Sequence, residues 1–278
     1  MAAPRPRRER LMAVDGGTSA IVMAGRREGV VDPLAAAAGV ADKCLVPVAG
    51  RPMIAHVLAA LGATPAIGRI VVSLNDPDLL RDLPEAIGLD AAGRLVIAPA
   101  RDNLVDSVLA AAERADCPLL ITTADNVHLT PAAVGAFIDG AERGALDAAV
   151  AFSRRDAVLA AHPDGQRRFY RFADDSYSNC NSYWIARRDA LTTTEVFRQG
   201  GQFAKHPLRI ASALGFMNLI RFRFGLGTLD AAFDRFSRRF KLRIGAVILD
   251  DGAVAIDVDN ARTLAVADLI LGRRSNPN

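Results

Sequence analysis

Cysteine is scarce in this chain of 278 residues, tryptophan occurs once, and of its 34 basic residues only Lys43, Lys205 and Lys241 are lysine. Cys44, Cys117 and Cys180 lie far apart, are odd in number and form no Cys-x-x-Cys pair, which argues against a disulfide scaffold or a structural zinc site and fits a reducing cytoplasm. The histidines His56, His128, His162 and His206 are scattered, with no His-x-x-x-His spacing and no cysteine partner, so zinc chemistry is poorly supported. Long apolar runs are missing too. None approaches the roughly 18 residues of a membrane-spanning helix, and after the basic stretch at 4–10 the apolar Leu11 to Val14 stops at Asp15-Gly16-Gly17, too soon for a secretory signal. A large excess of one charge is also lacking. The balance is a formal +3 with 6% aromatics, whereas a dedicated nucleic-acid binder carries a basic stripe with aromatics interleaved. The expectation is a soluble cytoplasmic protein without a nucleic-acid partner.

What is present is apolar material in a regular order. With 51% hydrophobic residues the chain is long enough for one large core. Its first half alternates apolar runs (19–23, 69–74, 94–98, 118–123) with helical patterns, the signature of a mainly parallel sheet covered by helices. Pro52 opens one helix, Asn103 is placed to cap another, and Thr130-Pro131 starts a third. Beyond about residue 150 the runs shorten and aromatics increase. Strands are expected at 149–152, 168–172, 182–186, 242–248 and 253–256, helices near 205–214 and 228–240, and a closing helix from Ala261 to Leu271. No Gly/Ser-rich or Pro-rich linker separates the halves, so the expectation is a single domain over 1–278, with 150–250 as an elaboration on its substrate side.

Polar residues at the strand ends carry the chemistry. The strand Ser19 to Met23 breaks at Ala24-Gly25, where backbone N–H groups can turn toward an anion, and Arg26-Arg27 follow. In an arginine-rich chain a lone Lys43 stands out. An ammonium is a compact charge on a flexible stem, suited to following a phosphate that moves during reaction. Asp125 comes directly after the apolar run 119–124, at the carboxyl end where open α/β sheets place their ligands. Asp257-Val258-Asp259 follows a later apolar run, and alternation points both carboxylates to one side.

These residues resemble the MobA-like NTP transferases, nucleotidyltransferases with a glycosyltransferase-A-like fold. Ala24-Gly25 matches the start of the family's glycine loop, Lys43-Cys44-Leu45 its lysine box, Gly50-Arg51-Pro52-Met53 the start of the next helix, and Asp257-Val258-Asp259 the first half of its late acidic motif. The sequence departs from the pattern at Arg26-Arg27-Glu28-Gly29, where further glycines are usual, at Asp42 in place of a proline, and in a long alanine-rich loop at 32–39. The resemblance implies a three-layer α/β/α, Rossmann-like fold with a mainly parallel mixed sheet. It also implies a magnesium ion held by Asp125 and by a second acid, Asp259 by its place in the motif. Magnesium takes oxygen ligands and is commonly held by one or two carboxylates plus substrate phosphates. Ala24, Gly25, Arg26 and Lys43 would bind the nucleotide, Arg26 and Lys43 acting in catalysis. Asn103 and Ser107, in the segment the family uses for the base, either meet a base edge or serve as a helix cap and an ordinary helical residue.

For the acceptor there are two candidate regions. Asn179 to Ser182 reads as a polar turn whose Asn181 could meet acceptor hydroxyls. Lys205 and Arg209 begin a segment, 203–224, that mixes basic and bulky apolar residues; it suits an anionic lipid precursor or a membrane surface, or else a core-packing helix pair with arginines reaching outward. The expected activity is transfer of NMP from an NTP, with a lean toward CTP by family analogy, to a small phosphorylated or lipid-headgroup acceptor with release of pyrophosphate. The alternatives are a glycosyltransferase using a nucleotide sugar and a non-catalytic nucleotide or lipid-surface binding protein.

Overall fold

The computed structural model describes residues 17–26, 29, 31–197 and 226–275. Strand β1 (Thr18–Met23) leads to helix α1 (Pro33–Ala38), which replaces the loop expected at 32–39. The helix is short but fully signalled: Asp32 Oδ1 accepts from the amides of Leu34 and Ala35, proline occupies the first turn, four alanines follow, and Gly39 ends it at φ 67°. After a 3₁₀ turn (Lys43–Leu45), the small hairpin β2 (Pro47–Val48) and β3 (Arg51–Pro52) feeds α2 (Met53–Gly62). Then come β4 (Ile67–Leu74), α3 (Pro84–Ala91), β5 (Leu95–Pro99), α4 (Leu104–Ala112), β6 (Leu119–Thr123) and α5 (Pro131–Arg143). The second half supplies β7 (Ala148–Arg154), α6 (Arg155–Ala161), β8 (Tyr170–Arg171), β9 (Ser176–Ile185), α7 (Leu229–Phe240), β10 (Ile244–Leu249) and α8 (Ala261–Ser275).

One sheet carries strands from both halves, in the order β10-β7-β9-β6-β1-β4-β5, with β8 beside β9. All its pairings are parallel except those of β9 with β6, β7 and β8. Strands β1, β4 and β6 are covered on both faces and accordingly read as continuous apolar runs rather than alternating ones. Ala20, Val22, Ile70, Val72 and Leu120 face α2 and α5, while Ile21, Val71, Leu119 and Ile121 face α4 and the 3₁₀ helix Arg188–Phe197. Farther along that second face Phe152, Tyr177, Leu229 and Phe233 form an aromatic cluster under α7. The result is a three-layer α/β/α molecule, as expected.

Two local expectations fail. The run 253–256 is a 3₁₀ turn, Gly252–Ala255, not a strand. Asp251 Oδ1 accepts from the Ala253 amide, and Gly252 lies so close to the Ala157–Val158 backbone that an added Cβ would sit 2.1 Å from the Ala157 carbonyl carbon. Val254 and its neighbours are apolar because they are buried on all sides, and burial alone cannot distinguish a strand from a packed turn. The supposed turn Asn179 to Ser182 is instead the interior of β9, where the register against β7 slips between Val150 and Phe152 and Asn181 adopts φ 47°. A β-bulge tolerates asparagine in the left-handed region, so a turn-like composition sits inside a strand. The helix expected near 205–214 lies outside the described residues. Among the described residues no helix is long and apolar enough to cross a membrane.

His128, in the loop after β6, is fully buried with neither ring nitrogen hydrogen-bonded. Burial, then the charges of Arg274 and His56, push its pKa down to about 3. Below its ordinary value near 6.5 the unfolded imidazole takes up a proton that the folded one refuses, so stability is lost as pH falls from 6.5 toward 3. Between pH 6.5 and 5 that loss should be about 1.5 kcal/mol. Urea unfolding of the native protein and of His128→Leu at both pH values checks it: the variant should lose that much less, and equal losses would show that His128 does not contribute.

Candidate active site

The site is built where β1, β6 and the segment before α8 converge at the carboxyl edge of the sheet. Asp125 follows β6 by two residues, and its backbone carbonyl accepts from the Val258 amide (3.1 Å), which lashes the Asp257–Asp259 segment to the end of β6. Asn260 Oδ1 caps α8 through the amides of Arg262 and Thr263, and Thr263 Oγ1 accepts from the Asp259 amide (2.9 Å). Capping is therefore done by Asn260 and Thr263, and the Asp259 carboxylate is left to point elsewhere.

It points at Lys43. The ammonium lies 2.6 Å from Asp125 Oδ2 and 3.0 Å from Asp259 Oδ1, joining residues 82 and 216 positions apart in the chain. Burial by itself would lower the lysine pKa, but the charges and hydrogen bonds of Asp125 and then Asp259 outweigh it and hold the group above its ordinary value. Behind this pair is Asp257, whose carboxyl is pushed upward by burial, then by Asp259 and Asp125. Lys43 is thus the cation between Asp125 and Asp259, with Asp257 next to both acids.

Asp42, the departure from proline before the lysine, has a role. Its buried carboxylate accepts from the Cys44 amide and starts the 3₁₀ turn that presents Lys43, and it lies 3.9 Å from Arg26 Nε. Arg26 also donates from Nη1 to the Ala41 carbonyl (2.9 Å) and from its backbone amide to Asn75 Oδ1 (2.8 Å). The glycine at 25 is required sterically: a Cβ there would come within 2.6 Å of Ala100 Cβ and 3.4 Å of Asn75 Oδ1. Asn75, at the end of β4, is a residue that the sequence reading passed over, although a polar residue directly after an apolar strand is the signal that singled out Asp125.

The other sequence-derived residues fall around this centre. Ala24 is buried and donates to the Ser73 carbonyl (2.9 Å), closing the end of β1. Asn103 caps α4 through the Asp106 amide (3.0 Å) and donates to the Asp106 carboxylate, while buried Ser107 accepts from the Arg101 amide (2.8 Å) and donates to the Asn103 carbonyl (2.9 Å). Both side chains hold the β5–α4 loop together. Asn181 sits in the β9 bulge next to Cys180, whose carbonyl accepts from Asn126 Nδ2 (2.9 Å), one residue beyond Asp125. Lys205 and Arg209 lie outside the described residues.

Among the described residues no group of three metal-ligating side chains stands ready. A magnesium ion that takes most of its ligands from phosphates and water needs fewer, and one observation fits it to Asp125: Oδ1 is buried with no hydrogen-bond partner while Oδ2 holds Lys43. A buried carboxylate oxygen without a partner leaves room for a ligand at this strand end.

A mainly parallel sheet with Lys43 held between two acids at its carboxyl edge is the arrangement of an α/β protein that binds its ligand at the strand ends. The profile of the MobA-like NTP transferase domain matches residues 20–215, and the chain belongs to that family. Its fold is similar to a structure described as a hypothetical transferase from Thermus thermophilus, at 26% identity and TM-score 0.72, covering 90% of this chain and 100% of that one. It also resembles a CMP:2-keto-3-deoxy-manno-octonic acid synthetase in complex with CTP (17% identity, TM-score 0.55, 93% and 100% covered). A third likeness is to the 4-diphosphocytidyl-2C-methyl-D-erythritol synthase of Anaerococcus prevotii (12%, 0.55, 92% and 96%). At these last two identities the likeness is one of fold. No curated protein matches the sequence.

Proposed function

We propose that the protein transfers a nucleoside monophosphate from an NTP, CTP before the others, to a small phosphorylated acceptor, with release of pyrophosphate. The observation that carries this reading is the Lys43 ammonium held between Asp125 and Asp259, beside a carboxylate oxygen with no partner. In-line attack of an acceptor phosphate on the α-phosphorus needs little covalent help from the protein; the work is to bring two anions together and neutralise the charge that builds on the transferring group. Asp125 and Asp259 would hold magnesium, which when bound draws charge off the phosphate oxygens. Lys43, on a flexible stem beside the same two carboxylates, would reach the triphosphate and serve as a phosphate ligand, and in the nucleotide-free protein it would stand as placeholder between the acids. Arg26 and the Gly25 turn lie on the β4 and β5 side and would meet the nucleotide there; β9 and Asn181 lie on the opposite side of Asp125, the direction from which the acceptor must come.

The preference for CTP rests on the two cytidylyl-transferring fold relatives. A lysine poised at the acids favours NTP chemistry over transfer from a nucleotide sugar, which has no pyrophosphate to release. Incubation with each of four NTPs, magnesium and a panel of phosphorylated alcohols, scored for pyrophosphate, tests the reading. Formation of pyrophosphate that requires both substrates is expected; free nucleoside diphosphate from nucleotide sugars, with none from NTPs, would overturn it.

A further inference from the structure

On the acceptor side of Asp125, the sheet face beneath α4 and α7 carries a cavity of about 260 Å³. Its walls are overwhelmingly apolar, with Ile121 and Val150 from the sheet, Leu104 from α4 and Phe233 from α7. Its few polar side chains include an amide–phenol pair. Asn179 Nδ2 donates to the Tyr183 hydroxyl (2.8 Å), and Tyr170 lines the same cavity; burial raises the pKa of both tyrosines, and the charge of Asp257 adds to it. Thr123, two residues before Asp125, also lines the cavity, and its buried hydroxyl has no hydrogen-bond partner. Arg235 of α7 adds a cation to the wall. The cavity is thus apolar over most of its wall, and Thr123, two residues before Asp125, brings it close to the catalytic edge.

We infer that the acceptor is a phosphate monoester of a compact hydrocarbon, its apolar body enclosed in this cavity and its phosphate directed past Thr123 and Tyr183 toward Asp125. This rests on the proposed transferase reading and names the acceptor's chemical class. A polar acceptor such as a sugar phosphate would leave its hydroxyls unpaired against Ile121, Val150 and Phe233, a cost of a kind that apolar sites do not repay. The volume matches on the order of eight to nine water-sized groups, and so a short chain or a branched unit of that size, not a long membrane lipid.

Calorimetry of the full chain with n-alkyl phosphates from ethyl to dodecyl tests the inference without requiring turnover. Each added methylene should tighten binding about three- to fourfold, with a plateau near octyl. Ala232→Trp, which fills the cavity from the half-exposed face of α7, and Val150→Phe, which fills it from the sheet, should move the plateau to shorter chains; circular dichroism identifies a variant that has merely unfolded, and either folded variant suffices. Affinity that is independent of chain length, or that keeps rising without a plateau up to dodecyl, overturns the inference. Pyrophosphate release is measured in parallel. Chain-length-dependent binding with no NTP turnover upholds the cavity assignment while overturning the transferase reading, and turnover of glycerol phosphate with flat alkyl binding does the reverse.

Discussion

Lys43→Ala should lower turnover by about two orders of magnitude or more, the usual consequence of removing a preorganised charge from a developing transition state. It should at the same time tighten binding of magnesium to the nucleotide-free protein. The second effect follows from the geometry: the ammonium occupies Asp125 Oδ2 and Asp259 Oδ1, so a metal held by both carboxylates would compete with it, and without it Asp125 and Asp259 face each other uncompensated. Lys43→Arg should restore little activity, because a planar fork cannot follow a phosphate as a point charge on a flexible stem does. Steady-state kinetics and calorimetry with magnesium alone decide both halves. Unchanged turnover in Lys43→Ala removes the residue from the mechanism, and a magnesium affinity that does not rise removes its role as placeholder.

How much of this was legible in the chain depends on what each signal measures. The buried parallel strands were readable because burial on both faces enforces an apolar run, and α4, α5 and α2 because Asn103, Thr130 and the prolines at 52 and 131 mark where helices start. Helix α1 carried the same marks in Asp32, Pro33 and Gly39, yet its alanine run suggested a loop because it interrupts a family motif; the local code prevailed over the family pattern. The bulge in β9 and the 3₁₀ turn at Gly252 were not readable, since each is set by a neighbour remote in sequence: the slip against β7 in one case, the Ala157 backbone in the other. At the site, Lys43, Asp125 and Asp259 could be singled out one by one, but their meeting at 2.6 and 3.0 Å depends on the carbonyl of Asp125 holding Val258, a contact no spacing announces. The cavity was invisible for the same reason. Ile121, Val150 and Phe233 are ordinary core residues in sequence, and only packing shows that the space between them is open.

Asp125→Asn and Asp259→Asn should each abolish magnesium-dependent turnover while the protein stays folded, but they should not be equivalent. Asparagine keeps the shape of the side chain and supplies no negative charge. Asp125 is fixed at the end of β6, its side chain 19% exposed, with one oxygen bare and the other on Lys43; Asp259 is 53% exposed on the segment before α8. On the proposed metal assignment, loss of the half-buried, rigid carboxylate would remove a preorganised position that solvent cannot supply, whereas at the exposed one water would take the vacated place. Affinity for the magnesium–nucleotide complex should therefore fall by a hundredfold or more in Asp125→Asn, above the ten- to hundredfold typical of groups that merely support a metal ligand, and by about tenfold in Asp259→Asn. Folding stability should hold or rise in both, because each substitution takes one negative charge away from Asp257 and still leaves Lys43 an anionic partner. Calorimetry with magnesium and CTP, paired with urea unfolding, separates the two effects. Full affinity in both variants would sink the metal assignment, and a larger loss at Asp259 than at Asp125 would move the principal ligand from the strand end to the segment before α8.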